Sequence, residues 1–445
     1  MIKFFLDEDD NESKIEYHYL SSSKRFGIVN DDFGKKNFYN EYGILRKQES
    51  IEEDSDLQDN DFKRLISKRI KKLLFGEKYS NIVFLAGAGA SVVTDNPVYG
   101  KTVRMIAENI FMELANEKNY YNLEELAKKC NYNNGEILAE NKLAENFNLE
   151  DFLSTLLNYY QFMPKKGKIR VKRTIERILH LIKKNTSYSY NKNDLRHGAL
   201  LKVLSELSGK DGNKFSVITT NYDVLIEEAA SENNFIVFDG FNFTSEPKFD
   251  STMFEWNLVR NVNNINTKEV EYKDNTFNLI KIHGSLTWER GEKGEIVRKN
   301  KDSINDLSKM VMIFPSSDKF AQSYQNPYFE LFTKFQELIR RPNTLLITAG
   351  FSFADNHISK MITQAMINNH SLKILVTDFN IDPLRIWNKT TKKYDSVLND
   401  NSKYNGNWEE LLQLMNDGYP ITFLKSTLNG DLIEYMRGDY LDDEY

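Results

Sequence analysis

Three apolar runs in this chain end in side chains that can do chemistry. Residues 82–91 read Ile-Val-Phe-Leu-Ala-Gly-Ala-Gly-Ala-Ser and close on Gly87, Ala88, Gly89 and Ser91. Residues 215–223 read Phe-Ser-Val-Ile-Thr-Thr-Asn-Tyr-Asp and close on Thr220, Asn221 and Asp223, and residues 279–285 read Leu-Ile-Lys-Ile-His-Gly-Ser and close on His283. Two glycines permit a tight turn and a close approach of backbone to a ligand, while Ser91 and the turn N–H groups can donate to an anion or hydroxyl. The pattern is an incomplete dinucleotide fingerprint, because Val92 stands where its third glycine would be. An imidazole titrates near neutrality and suits proton removal from a hydroxyl or a water, and Gly284 lets a substrate approach it.

Each feature also has a bland reading. A strand-to-helix turn needs glycine for geometry alone, Asn and Asp commonly cap helices, and a lone histidine at a strand end is more often structural. Gly100-Lys101-Thr102 mimics the end of a P-loop, but the required glycine five residues earlier is Asp95, so that reading is discarded.

The elements that must position these residues alternate. Strand-like runs fall at 215–219, 235–238, 279–282, 310–314, 344–349 and 373–377, with helical spacing at 197–208, 222–232, 327–341 and 355–368. Such alternation predicts an α/β fold with a doubly wound, Rossmann-like parallel sheet, whose ligands bind at the carboxyl ends of the strands. The polar motif residues all fall at such ends. An amphipathic helix at 61–75 leads into the first strand, and the stretch from about 120 to 195 reads as a helical insertion. The organisation expected is an N-terminal extension with that helix (1–75), a catalytic domain (76–380) and a C-terminal extension (381–445) with a helix near 407–417. The first sixty residues read as peripheral, and 241–275 as a long Asn-rich loop over the cleft.

A chain of 445 residues with 40% hydrophobic and 28% charged side chains can bury a substantial core. No apolar stretch approaches the roughly 20 residues that span a bilayer, and the start turns acidic too soon for a signal peptide, so a cytoplasmic protein with no membrane partner is expected. The single cysteine, Cys130, excludes an internal disulfide and any Cys-x-x-Cys zinc site, and no metal is expected. Residues 1–60 hold 15 acidic and 8 basic side chains, a net of −7 in a chain of net −6, so the remainder is near +1. Overall acidity argues weakly against a nucleic-acid binder. The segment from Lys165 to Lys184 has nine Lys or Arg and one acid, Glu176, and reads as a solvated cationic face in preference to a nucleic-acid or partner surface.

Together the three strand ends resemble the sirtuin superfamily, whose enzymes cleave the nicotinamide–ribose bond of NAD. Its patterns Gly-Ala-Gly-x-Ser, Thr-x-Asn-x-Asp and His-Gly stand at 87–91, 219–223 and 283–284, in the family's order. Within it the chain resembles the sirtuin-like NAD hydrolases of prokaryotic antiphage defence, which carry a late segment like Gly350-Phe-Ser-Phe-Ala-Asp-Asn-His357. The resemblance implies NAD as substrate, with Asn221 orienting ribose hydroxyls or an attacking water and His283 as general base. It further implies that Gly87, Ala88, Gly89, Ser91, Thr220, Gly350, Ser352 and His357 line the NAD site. Asp223 would accept from the nicotinamide carboxamide and Asp378 would take the adenine-ribose hydroxyls. The family's usual Gly-Thr-Ser is Gly-Phe-Ser here, and sirtuins more often have Asn where Asp378 stands. Deacylating sirtuins usually carry a four-cysteine zinc module after His-Gly, whereas residues 289–302 here hold a short charged turn. The expectation is therefore an NAD hydrolase, with a protein deacylase or a non-catalytic NAD or ADP-ribose sensor as the alternatives. Relatives of this kind work as homo-oligomers, and one group pairs with a HerA-like ATPase.

Overall fold

The structure is a computed structural model, and it describes residues 15–30, 34, 36–40, 43–44, 55–132, 137–139, 142–144, 147–165, 167–209, 212–262, 270–301, 303–304, 309–312, 326–379, 381, 385–388, 393–396 and 406–440. Among the described residues four strands come first, β1 (Ile15–Ser21), β2 (Arg25–Asn30), β3 (Lys36–Asn40) and β4 (Gly43–Ile44), followed by helix α1 (Ser55–Phe75). Six parallel-sheet strands come next in sequence: β5 (Asn81–Ala86), β6 (Phe215–Thr219), β7 (Ile236–Phe238), β8 (Thr276–Lys281), then β12 (Thr344–Ala349) and β13 (Lys373–Asp378). Between β8 and β12 lie β9 (Gly284–Arg290), β10 (Ile296–Arg298) and β11 (Met310–Met312), and β14 (Ile421–Lys425) closes the series.

Eleven strands form the central sheet in the order β4-β3-β2-β1-β14-β13-β12-β5-β6-β8-β7. The seven from β14 to β7 pair in parallel, and β1 joins β14 antiparallel. After β5 the chain moves to one side, through β6 to β8, and then returns to the other side at β12. The crevice beyond the carboxyl ends of β5, β6 and β12 is thus the topological switch point where such sheets bind ligands.

The central strands are apolar without alternation because both faces are covered: β5, β6 and β12 are buried along their whole length. Successive residues serve opposite layers. Val83, Leu85, Ile218, Ile280, Leu346 and Val376 join one core with Phe335, Ile362 and Leu411. Ile82, Phe84, Val217, Leu279, Ile347 and Leu375 join the other, with Ile66, Leu204, Ile226 and Ile433. The first core is roofed by α8 (Tyr328–Arg340), α9 (Asn356–Asn368) and α10 (Gly406–Asn416). The second is roofed by α1, α6 (His197–Ser208), α7 (Leu225–Glu232) and α11 (Leu432–Arg437). Helices α2 (Val103–Asn116), α3 (Leu123–Cys130), α4 (Leu149–Phe162) and α5 (Lys168–Thr186) form a body with its own core, around Ile110, Leu126, Leu153 and Ile178.

Four segments differ from the sequence reading. Met310–Met312, expected as part of a sheet, pairs antiparallel with β9 in a separate three-stranded sheet, because Gly284 turns the chain out of the main sheet directly after β8. Residues 313–314 of that run lie outside the described residues. The N-terminal segment, expected to be peripheral, extends the central sheet and buries Tyr17, Tyr19, Phe26 and Phe38. Beyond residue 380, β14 continues the parallel sheet beside β13. In the segment 241–275, Phe241 and Phe254 are buried, Phe241 packs 5.2 Å from the Trp288 ring, and Val259–Asn261 pairs with Val270–Tyr272 as an exposed ribbon. Residues 263–269 of that loop fall outside the described residues.

Candidate active site

The turn after β5 and the loop after β12 pack back to back. Gly87 donates its N–H to Ala349 O at 3.0 Å and Gly89 to Gly350 O at 2.9 Å. A Cβ on Gly87 would lie 2.5 Å from Gly350 O, and one on Gly89 2.7 Å from Gly350 Cα. Gly350 has φ +60°, and its own Cβ would stand 2.2 Å from Ala90 N. The glycines of the first motif are therefore required by loop-to-loop contact, whatever ligand approaches their outer side. Because the Gly87, Gly89 and Ala90 N–H groups are donated within the protein, few turn donors remain to face an anion.

The strand end at 219–223 locks onto the same turn. Thr220 N donates to Ala86 O at 3.1 Å. Asn221 Nδ2 donates to Gly87 O at 2.9 Å and to Ser91 Oγ at 3.1 Å. Ser91 Oγ in turn donates a hydrogen bond to Asp223 Oδ2 at 2.8 Å. The amide orientation follows from these partners, since a carbonyl can only accept. With both Nδ2 protons spent inside the protein, Asn221 offers a ligand its Oδ1, an acceptor. Ser91 likewise has only lone pairs left to offer.

Asp223 is buried, and its Oδ1 accepts from Leu225 N at 3.2 Å at the start of α7. Burial pushes its carboxyl up, while the Lys281 ammonium and the Ser91 hydrogen bond pull the other way. Lys281, 1% exposed at the end of β8, reaches Asp223 O and pairs with Glu227 Oε1 at 2.8 Å. Sequence reading assigned this lysine no role. A lone cation inside an apolar strand run was the available signal, because such a charge stays buried only when paired.

His283 follows β8, which lies beside β6, so its segment runs against the Asn221 loop: Ile282 N donates to Thr219 O and Leu286 N to Tyr222 O, both at 3.0 Å. Its imidazole is 9% exposed, 6.4 Å from the Phe332 ring, and its Nε2 is 3.5 Å from Asp355 Oδ2. Gly284 has φ +86°, and a Cβ there would come 2.1 Å from Val311 O, so β11 requires glycine at this turn.

The remaining candidates sit around this ring of contacts. Ala88 and Ser352 are exposed, and His357 is half-buried in the first turn of α9. Asp378 is half-buried at the end of β13, one strand further from β5, and its carbonyl accepts from Ser426 N at 2.9 Å. The C-terminal segment supplies supports that sequence reading did not anticipate. Trp408 Nε1 donates to Ser352 O at 3.0 Å, and Asn407 Nδ2 donates to Phe353 O at 2.8 Å. Asn429 Nδ2 donates to both Ala90 O (3.0 Å) and Val92 O (2.8 Å). Among the described residues no group of three or more His, Cys, Asp and Glu is arranged to hold a metal ion, and no helix is long and apolar enough to cross a membrane.

With Asn221, Asp223 and His283 gathered against the Gly87–Ser91 turn, the similarity to known proteins falls on the same stretch. Residues 216–407 match the SIR2-like domain family. That span is less than half of the chain, and it includes Asn221, Asp223, His283, Gly350, Ser352, His357 and Asp378 but not the Gly87–Ser91 turn. No curated protein matches the chain. A solved structure reported as "Structural Basis for the Mechanism and Regulation of Sir2 Enzymes" aligns over 84% of this chain and 96% of its own, at 10% identity and a TM-score of 0.37. A superposition that loose leaves the fold class to rest on the strand order itself.

Proposed function

We propose that this protein is an NAD hydrolase, cleaving NAD to nicotinamide and ADP-ribose. The observation that carries this reading is the Gly87–Asn221–Ser91–Asp223 network at the switch point of the sheet, with His283 on the adjoining strand end. The SIR2-like match over 216–407 supports NAD as the substrate.

In this reading the turn 87–91, Ser352 and Asp378 hold the ADP-ribose portion. The bond from ribose C1′ to the nicotinamide nitrogen breaks, its electron pair leaves with neutral nicotinamide, and positive charge develops on the ribose. Asn221 Oδ1 accepts a hydrogen bond from the attacking water or a neighbouring ribose hydroxyl and fixes its direction. As the water oxygen bonds to C1′, His283 takes its proton. The products are ADP-ribose, nicotinamide and one proton.

On the strength of the motif resemblance, we propose that this activity serves antiphage defence by depleting NAD. It would reside in a homo-oligomer switched on by a separate protein such as a HerA-like ATPase. The test of the chemistry is nicotinamide release by the purified protein, with and without an acyl-lysine peptide. Release without peptide supports the hydrolase. Release only with peptide makes it a deacylase, and NAD binding without release, even from the assembled protein with its activating partner added, makes it a sensor.

A further inference from the structure

Asp355 is the residue that the proposed mechanism has not used. It caps α9, its Oδ1 accepting from His357 N at 3.0 Å and from Ile358 N at 3.2 Å. Its Oδ2 lies 3.5 Å from His283 Nε2, and the two side chains are 8% and 9% exposed. Capping uses one oxygen, and Ser, Thr or Asn would provide it equally well. The second carboxylate oxygen is the one that lies against the imidazole.

The loop that delivers Asp355 is held from several sides. Phe353, fully buried, sits at φ +55°, a conformation that costs a bulky side chain about 1–3 kcal/mol. Its carbonyl accepts from Ser359 Oγ at 2.9 Å and from Asn407 Nδ2, while Trp408 holds Ser352 O. Such over-determination around a backbone outlier points to a side chain that must be placed accurately.

We propose that Asp355 is a positioning residue for His283. A carboxylate only accepts at neutral pH, so an Nε2 facing it carries the proton, which leaves Nδ1 as the basic nitrogen turned toward substrate. Among the described residues the Phe332 ring lies 6.4 Å from the imidazole, and a phenyl ring is no proton acceptor of comparable strength. The 3.5 Å separation is long for a hydrogen bond, as pairs of this kind often are before substrate closes the site. The inference rests on the reading of His283 as the base, but its structural claim can be tested without that reading.

The test is histidine ¹⁵N NMR at about pH 9, where ordinary imidazoles are neutral, with the His283 signals identified by their loss in His283→Gln. Native protein should show the Nε2–H tautomer. In Asp355→Asn the cap is kept through Oδ1 and the amide Nδ2 faces the ring as a donor, so the tautomer should invert to Nδ1–H. Turnover of NAD by Asp355→Asn should then fall by about a hundredfold or more with KM little changed, since a base in the wrong tautomer fails in the transition state while binding is kept. Asp355→Ser, which caps but cannot reach the ring, should lose less than Asp355→Asn. A native His283 that is Nδ1–H or a mixture, or an unaltered tautomer in Asp355→Asn, would overturn the proposal. The expected tautomers with no nicotinamide release from native protein, even when it is assembled and supplied with its activating partner, would leave the positioning intact and sink the hydrolase reading instead.

Discussion

Ser91 donates its hydroxyl proton to Asp223, 132 residues away in sequence, and the hydrogen bond at 2.8 Å ties the turn after β5 to the turn after β6. The same oxygen accepts from Asn221, so one hydroxyl sets both the amide and the carboxylate. Replacing it, as in Ser91→Ala, should leave a buried carboxylate oxygen without its donor and destabilise the fold by about 1–3 kcal/mol. NAD turnover should drop by about tenfold, because Asn221 loses one of its two anchors. Ser91→Thr keeps the hydroxyl and should retain more of both. Unfolding by denaturant and a turnover assay check this, and a Ser91→Ala protein as stable and as active as the native one would show that the hydroxyl couples nothing.

The three strand ends and the alternation around them were legible because a strand buried on both faces is a plain apolar run, and its polar ending stands out. What lay outside that signal was contributed by distant chain. β1 begins Ile-Glu-Tyr-His-Tyr, an alternation that marks a strand, yet its acidic surroundings hid it. β14 reads Ile-Thr-Phe-Leu-Lys, apolar but isolated from the motifs, and only pairing with β13 reveals its place. Asp355 stood unremarked within the segment 350–357, since no sequence pattern states that its second oxygen meets a histidine just past the end of β8. The glycines were read as making room for a ligand, whereas Gly87, Gly89 and Gly350 make room for one another.

That mutual packing gives a sharp contrast between two glycines. Gly350→Ala would place a methyl group 2.2 Å from Ala90 N at φ +60°, against backbone that is itself fixed by hydrogen bonds. It should destabilise the protein by roughly 3 kcal/mol or more, combining backbone strain with overpacking. Gly294 also has positive φ, +85°, but nothing lies within 4 Å of its would-be Cβ, so Gly294→Ala should cost only about 1 kcal/mol. Denaturant midpoints for the two variants would decide the matter, and equal losses would mean that conformation, not loop contact, sets the requirement at 350.

Control of the proposed activity should depend on assembly. An unrestrained NAD hydrolase would exhaust the cell that makes it, so turnover should be near zero in the isolated chain at low concentration and rise with oligomer formation or with an added activating partner. Light scattering run beside an NAD turnover assay over a dilution series tests this. A fully active monomer, insensitive to dilution and to added partner, would refute it.

Acid sensitivity should trace in part to His197. This side chain opens α6, is 3% exposed, and packs edge-on to Tyr190 with ring centroids 6.4 Å apart. Burial alone lowers its pKa from the ordinary 6.5 to about 4. Because the folded value is depressed, the unfolded chain binds the extra proton first as pH falls. The stabilisation from keeping this imidazole neutral is complete above about pH 6.5 and is lost progressively toward pH 4, amounting to about 3 kcal/mol at most. His197→Gln cannot take up that proton, so its stability should fall less steeply between pH 7 and pH 4 than that of the native protein, even if it starts lower. His18, depressed to about 4 chiefly by its own burial, titrates in the same window and remains in both proteins, so the difference between the two curves isolates His197. Parallel curves across that range would mean that His197 takes up its proton equally in the folded and unfolded chains, against the burial argument.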